Sequence, residues 1–158
     1  MDRSKVGPAL GKIPSGLYIA TSTIDGQNVG MLSSFIEQAG FKPPTITIAV
    51  QPGRRLADAL EQNDAHLGIN VLGEACGGQL MKPFFDTEDT DPFVSLGLVE
   101  NEYGLPQLTE AMAFLACKVT GKVAVGDHMV YAAVVLDGEL QDSNDKPMIR
   151  VRPNGFSY

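Results

Sequence analysis

The sequence is poor in the residues that build metal centres and disulfide frameworks. Its 158 residues include two cysteines and two histidines. Cys76 and Cys117 form no CxxC pair and are too few for a disulfide framework, so we expect buried free thiols. His66 and His128 stand at no ligand-like spacing, and the acidic stretch 86–91 lacks the glycine and final glutamate of an EF-hand. We therefore expect no metal site.

Several motifs that mark common enzyme classes are also missing. The sequence contains no Walker-type glycine loop, no Rossmann GxGxxG fingerprint and no HExxH run. No His-Asp partnership accompanies its paired serines, Ser33 and Ser34, so a serine nucleophile has little support. Nucleotide hydrolysis by a P-loop, zinc proteolysis and serine hydrolysis are therefore disfavoured.

Long apolar runs and positive charge are scarce as well. No stretch approaches the roughly 18 consecutive apolar residues of a membrane span, and the N-terminus lacks a signal-peptide core. We expect a soluble, cytoplasmic protein with no membrane partner. Twelve Lys and Arg residues against 19 Asp and Glu give a net charge of −7. Such a surface repels phosphate backbones, so nucleic acid is not an expected partner.

What the sequence does have is enough apolar material for one core. Hydrophobic residues make up 44% of the chain and charged residues 20%. This length fits one ordinary domain, and no internal repeat or low-complexity tract divides it. We expect residues 1–158 to form a single domain.

The periodicity predicts mainly β structure. The clearest strand is 45–50, where strict alternation places Ile46, Ile48 and Val50 on one face. An Asp25-Gly26 turn signal predicts a hairpin between residues 17–23 and a return arm at 29–36. Further strands are predicted at 66–72, 113–125, 128–140 and 148–152.

Helices are predicted to be short and few. Leu56, Ala59, Leu60 and Asn63 recur at helical spacing within 54–62, and residues 74–81 suggest a second helix weakened by two glycines. Between residues 83 and 106 the pattern dissolves, as in a lid or an interface arm. Strands joined mostly by tight turns, without a βαβ rhythm, favour an antiparallel β-barrel.

Two adjacent arginines, Arg54 and Arg55, stand where the first predicted helix begins. The helix macrodipole is positive at this end, so cations there are unfavourable unless an anion lies nearby. One interpretation is a surface ion pair between Arg54 and Asp58. The other is a phosphate held jointly by backbone N–H groups and one or both guanidinium groups. The residues alone leave both interpretations open.

Two further positions have side chains suited to ligand contact. Ser33 and Ser34 are predicted mid-strand among apolar neighbours, where hydroxyl groups pack poorly but suit a phosphate or ribose. His128 follows a turn at the start of a long strand, a rim position where an imidazole can meet a ligand. The two serines and His128 could also have purely structural roles. For His66 we expect a structural role only.

In order and spacing, several segments resemble the flavin reductase family, whose members form an FMN-binding split β-barrel. The resemblance rests on residues 13–21, 30–35, 41–50, 69–72, 105–108, 113–117 and 126–128. Within the family, residues 80–84 and 154–158 are most similar to the C-terminal flavin reductase module of cyanobacterial flavodiiron proteins. The HxExD run that ligates iron in those proteins is missing from this sequence.

The resemblance implies roles for particular residues. It implies that the flavin and its phosphate tail lie along Met31, Leu32, Ser33 and Ser34, and that backbone groups around Ala49, Val50 and Gln51 meet the isoalloxazine ring. It favours the phosphate interpretation for Arg54 or Arg55. It also makes His128 the candidate for positioning or polarising the nicotinamide. Relatives often carry histidine and basic residues near the end, where this chain has Arg150 and Arg152, so we assign no nicotinamide contact there.

The activity implied is that of an NAD(P)H-dependent FMN reductase. Hydride would pass from nicotinamide C4 to flavin N5, and electrons would continue to an acceptor, such as a flavodiiron-type protein. A homodimer is expected, because family members complete an open flavin groove with a second subunit. The alternatives are a flavin-binding electron carrier or storage protein that does not react with pyridine nucleotide, and a heme- or pyridoxal-phosphate-binding relative of the same barrel.

Overall fold

The structure, a computed structural model, describes residues 1–85 and 91–157 of the chain. Eleven strands lie in this part: β1 Ser15–Gly16, β2 Tyr18–Ile24, β3 Gln27–Ser33, β4 Ile36–Phe41, β5 Pro44–Val50, β6 His66–Val71, β7 Leu98–Val99, β8 Gln107–Leu108, β9 Ala113–Val125, β10 His128–Leu140 and β11 Ile149–Arg150. The helices are α1 Arg3–Gly11, α2 Arg55–Leu60 and α3 Gly77–Met81, followed by a 3₁₀ turn at Lys82–Phe84. None of these helices has the length and apolar content of a membrane span.

Seven strands form one antiparallel sheet in the order β3-β2-β6-β9-β10-β5-β4. Its two edge strands, β3 and β4, are consecutive in the chain and are joined only by Ser34 and Phe35. Since three Cα–Cα steps span at most about 11 Å, the sheet must curl until its edges lie near each other. The fold is therefore an antiparallel split β-barrel with a few short helices, as the sequence predicts.

Left-handed backbone positions set two of the hairpin turns. Asp25 and Gly26 have φ values of 51° and 74°, and Ile24 pairs with Gln27. Positive φ at both central residues is the hallmark of a type I′ turn, whose twist matches that of the strands it joins. Gly126, with φ of 61°, lies between β9 and β10. Both turns were predicted from sequence.

The main core lies inside the curled sheet and beneath α2. Ile46, Ile48 and Val50 are all buried, which confirms the face predicted from alternation in β5. The helix α2 closes one end of the barrel through four buried side chains, Leu56, Ala57, Ala59 and Leu60. Asn63, which the spacing placed on this face, lies beyond the helix and is exposed.

A buried asparagine links the sheet to the loop before β9. Asn70 is fully buried in β6, and its Nδ2 donates to Ile19 O at 3.1 Å and to Pro106 O at 3.2 Å. The N–H of Leu108 donates to Asn70 Oδ1 at 2.7 Å. Thr21 Oγ1 also donates to Pro106 O, at 2.8 Å. One side chain thus fixes residues 105–108 against the barrel.

The structure corrects the end of the first hairpin and the length of the first predicted helix. The return arm ends at Ser33 rather than continuing to Ile36, which begins a separate edge strand, β4. The predicted helix 54–62 is limited to α2, with Arg54 as its N-cap residue. The predicted return arm is too long because no glycine or proline marks a break at Ser34 and Phe35.

The remaining differences lie near the chain ends and in the long loop. The N-terminal helix α1 was not predicted, and the helix expected at 74–81 is shortened to α3. Within the segment 83–106, β7 pairs with β8. The predicted closing strand 148–152 is limited to β11, which pairs with β1. Most of the acidic stretch 86–91 lies outside the described residues.

Candidate functional site

A large cavity lies along the split between the two edge strands. It is an open groove of about 1210 Å³. One wall is β3 with Ser34 and Phe35, and the other runs from the end of β5 to the start of α2. Eight of the nine predicted flavin-binding residues line it, namely Met31, Leu32, Ser33, Ser34, Ala49, Gln51, Arg54 and Arg55. The topology therefore brings together residues from separate parts of the sequence.

The two serines present hydroxyl groups on the wall of the groove. Ser33 and Ser34 are 6% and 7% exposed, and neither hydroxyl group forms a hydrogen bond within residues 1–85 and 91–157. Two neighbouring buried hydroxyl groups differ, because Thr21 donates to Pro106 O and Ser22 donates to His66 O. Hydroxyl groups that line an open groove and lack a partner among the described residues can bind a polar ligand. Ser33 ends β3 and Ser34 follows it, which corrects their predicted mid-strand position.

The two arginines at the start of α2 are exposed and face the groove. Arg55 Nη2 donates to Gln27 Oε1 at 3.0 Å, across the groove to the first residue of β3. Among the described residues neither Arg54 nor Arg55 takes part in an ion pair, so the predicted surface pair between Arg54 and Asp58 does not form. Within residues 1–85 and 91–157, both positive charges therefore lack a carboxylate partner.

The segment from Ala49 to Gln51 divides between groove and core. Ala49 and Gln51 line the groove, whereas Val50 is fully buried and belongs to the core cluster. The N–H of Ala49 donates to Phe35 O at 3.0 Å, so this group already has a partner. This bond continues the pairing of β4 with β5 by one residue and fixes Phe35 at the edge of the groove.

His128 lies beside the groove without lining it. Its Nδ1 is 2.8 Å from Asp127 Oδ1, and its side chain is 15% exposed. Its ring meets that of Phe35 edge to face, with centroids 5.8 Å apart. The hydrogen bond to His128 lowers the pKa of the Asp127 carboxyl group below its usual value. His128 therefore lies next to Phe35, which lines the groove.

Sequence analysis did not single out several residues that the structure places in the groove. Phe35 belongs to a segment that carried the resemblance, but nothing in the sequence distinguished it from its neighbours. Phe84, Phe85 and Pro92 come from the long loop, where the pattern gave no signal. Arg150 also lines the groove, although it is almost a hundred residues from the other arginines that do so.

The cysteines lie outside the groove. Both are free, as predicted, and Cys117 is fully buried. Burial raises the pKa of the Cys117 thiol to about 12, so it stays protonated at neutral pH. Cys76 is half-buried rather than buried. Within the described ranges, no three His, Cys, Asp or Glu side chains cluster as a metal site.

Comparison with protein families identifies the chain. Residues 10–154 match the family described as "flavin reductase like domain". The chain belongs to this family. The match covers every strand and the whole groove, so the family assignment supports flavin reduction as the general chemistry of the chain.

A curated relative reveals a difference in length. The chain is 30% identical over 157 residues to diflavin flavoprotein A 1 of Synechocystis sp., an alignment that covers 98% of the chain and 27% of the relative. The chain thus spans about a quarter of the length of the curated relatives it matches. The likeness to a cyanobacterial flavoprotein agrees with the resemblance found in sequence.

Solved structures show the same fold. The nitrilotriacetate monooxygenase component B homologue of Mycobacterium thermoresistibile superposes with a TM-score of 0.85 at 22% identity, covering 96% of this chain and 84% of that one. A Streptomyces globisporus NADH:FAD oxidoreductase, in complex with NAD and FAD fragments, gives a TM-score of 0.83 at 22% identity and covers 94% and 88% of the two chains. These similarities establish the split-barrel fold of the chain.

Proposed function

We propose that residues 1–158 act as a single NAD(P)H-dependent FMN reductase domain. The observation that carries the proposal is a groove lined by two serine hydroxyl groups without a hydrogen-bond partner and by two arginines without a carboxylate partner, in the part of the chain that the structure describes. Family membership supplies the kind of chemistry, and this donor set selects a phosphate-bearing flavin.

The residues fit the chemistry of FMN. Guanidinium groups bind phosphate oxygens through paired N–H donors, which Arg54 and Arg55 can supply. Met31 and Leu32 offer apolar surface for a planar ring, and Ser33 and Ser34 offer hydroxyl groups for its polar edge. Single-ligand pockets usually measure about 300–1,000 Å³, so a groove of about 1210 Å³ has room for a second planar ring.

The protein's contribution to the reaction is orientation and exclusion of water. A bound flavin supplies the hydride-accepting chemistry and passes electrons on to an acceptor. The barrel wall fixes where each ring lies, and contact distance is the main requirement for hydride transfer. His128 positions the nicotinamide through its contact with Phe35. This division of roles explains why the groove needs no acid–base pair.

The assembly proposed is a homodimer that passes electrons to a flavodiiron-type or other acceptor protein in the cytoplasm. The open groove favours the dimer, because a second subunit can cover bound flavin. The relatives that exceed this chain about fourfold in length carry the name diflavin flavoprotein, which favours an acceptor of flavoprotein type.

The test is a visible spectrum of the purified protein after incubation with FMN, followed by NADH and NADPH oxidation assays. We expect the absorption bands of bound flavin and oxidation of at least one pyridine nucleotide that depends on FMN. FAD is assayed in parallel, because the Streptomyces globisporus relative is named an NADH:FAD oxidoreductase. Bound flavin without oxidation of either pyridine nucleotide would instead favour an electron carrier, and a heme or pyridoxal-phosphate spectrum would refute the proposal.

A further inference from the structure

Arginine and lysine are distributed very differently around the groove. The chain has five arginines, at positions 3, 54, 55, 150 and 152, and seven lysines. Arg54, Arg55 and Arg150 line the groove, and Arg152 lines a smaller cavity beside it. Among the described residues no lysine lines either cavity. The chain has a net charge of −7, yet four of its five arginines lie around this groove. Arginine, with its paired donors, matches phosphate geometry better than lysine does.

The arginines lie at two separated ends of the groove. Arg55 is hydrogen-bonded to Gln27, at the start of β3. Arg150 lies near the other end, because it pairs with Ser15, three residues before Tyr18, which pairs with Ser33. The seven residues of β3 span about 20 Å. The phosphate of one mononucleotide would occupy only one end, so the arginines at the other end can bind a second anion.

Arg150 and Arg152 each line a cavity that Phe35 also lines. In extended chain, residues two apart project to the same side. The smaller cavity, about 210 Å³, shares Ser34, Phe35 and Ala49 with the groove. The Arg152 Cζ atom lies 5.1 Å from the centroid of the Phe35 ring. These contacts place both guanidinium groups beside the connection at which the barrel is split.

Among the described residues neither Arg150 nor Arg152 forms an ion pair. Among the described residues, Arg152 Nε is buried without a hydrogen-bond partner, and Nη1 donates a long bond of 3.4 Å to Ser157 O. A buried N–H without an acceptor costs free energy, because it has given up its hydrogen bonds to water. A ligand oxygen that reaches this side chain after a small shift of Phe35 would remove that cost.

We propose that Arg150 and Arg152 bind the diphosphate of the pyridine nucleotide, at the end of the groove opposite the flavin phosphate. The proposal rests on the proposed function for the identity of the second nucleotide. A diphosphate carries two negative charges, and each phosphate offers two oxygens that one guanidinium group can bind through paired N–H donors. Two guanidinium groups on one side of an extended chain can therefore bind both phosphates. The arrangement makes them specificity residues for the co-substrate rather than for the flavin.

The experiment measures binding of ADP-ribose, which carries the diphosphate and lacks the nicotinamide. Calorimetry on the flavin-loaded protein compares wild type with Arg150→Gln, Arg152→Gln and the double variant. We expect at least a tenfold loss of ADP-ribose affinity in the double variant. FMN affinity, from fluorescence quenching, should stay within twofold of wild type. Lys146→Gln removes the same charge from an exposed site that lines neither cavity, and it should change neither affinity.

Two checks separate the possible failures. Thermal unfolding shows whether a variant is folded, and Arg152→Lys keeps the charge if Arg152→Gln is unstable. Unchanged ADP-ribose affinity in the folded double variant, or a loss of FMN affinity as large as that of ADP-ribose, would overturn the proposal. A wild type that binds ADP-ribose through these arginines but oxidises neither pyridine nucleotide would refute the proposed reductase while leaving the anion site in place.

Discussion

The ring of Phe35 meets the imidazole of His128 edge to face, with centroids 5.8 Å apart and an interplanar angle of 67°. On its other side the Phe35 ring contacts the Arg152 guanidinium group. Phe35 is also one of two residues that join the edge strands of the barrel. A single side chain therefore connects the closure of the fold, the histidine and the groove.

Replacing His128 by alanine should separate hydride transfer from flavin binding. We expect NAD(P)H oxidation to slow about tenfold, because a positioning contact helps to orient the nicotinamide for hydride transfer. FMN affinity should change less than twofold. Steady-state kinetics and fluorescence titration measure the two quantities.

The second histidine offers a matched control for that variant. His66 lies at the start of β6, where its carbonyl group accepts from Ser22 and its ring packs near Tyr103. His66→Ala should leave both oxidation and FMN affinity unchanged. An equal loss of both quantities in His128→Ala would show that His128 has a structural role only.

Replacing both Arg54 and Arg55 by alanine should weaken FMN binding strongly and leave the fold intact. Each charge-assisted hydrogen bond contributes roughly 1.5–3 kcal/mol. The loss of even one such bond should therefore lower FMN affinity about tenfold to a hundredfold. Riboflavin, which lacks the phosphate, should bind wild type and variant alike. Removing two charges elsewhere, with Lys42→Ala and Lys146→Ala, serves as control. Unchanged FMN affinity would remove the phosphate from this end of the groove.

The strands that could be predicted are those whose two faces differ. In β5, alternation placed Ile46, Ile48 and Val50 correctly because the inner face is packed and the outer face is not. The edge strand β4 gave no such signal, since Glu37, Gln38 and Ala39 are all exposed. Edge strands lack a second neighbour, so polar residues are tolerated on both faces and the sequence resembles a loop.

The N-terminal helix was missed for a different reason. It packs through glycines: Gly155 N–H donates to Gly7 O at 2.8 Å, and Arg152 N–H donates to Gly11 O at 3.0 Å. A Cβ on Gly11 would lie 2.4 Å from Arg152 O. Close backbone packing of this kind requires the absence of side chains, so an apolar stripe is neither present nor needed.

The candidate site could be predicted where two residues of the same polar or charged type are adjacent in the sequence. Ser33, Ser34, Arg54 and Arg55 stood out because polar or like-charged pairs are unfavourable in their local setting unless a ligand is present. Arg150 could not be found this way. It reaches the groove only because β11 pairs with β1, a long-range contact that no local pattern encodes.

Stability at acid pH should depend on Glu61. Its carboxylate pairs with Lys122 and accepts the Tyr131 hydroxyl at 2.8 Å, and these bonds lower its pKa below the ordinary value of 4.5. A lowered folded-state pKa stabilises the protein above the unfolded pKa, and this contribution is lost as the pH falls through the folded value. Glu61→Gln should therefore reduce the free energy of unfolding at pH 7 and make little difference at about pH 3. Denaturant unfolding at both pH values measures this, with exposed Glu74→Gln as control; an equal loss at both would exclude a charge effect.

Replacing Asn70 by alanine should be the most damaging of these changes to stability. The substitution leaves the buried Leu108 N–H without its acceptor and removes donors from Ile19 O and Pro106 O. Each buried group left unsatisfied costs about 1–3 kcal/mol, so the free energy of unfolding should fall by about 3 kcal/mol. Denaturant unfolding should show this as a lower midpoint with an unchanged slope, whereas Asn63→Ala, at an exposed site after α2, should shift the free energy by less than about 0.5 kcal/mol.

Because Thr21 still donates to Pro106 O, the double variant with Thr21→Val should lose more than the sum of the single variants. A loss below about 1 kcal/mol in Asn70→Ala would mean that water replaces the amide, and that the loop before β9 is held by its apolar contacts alone.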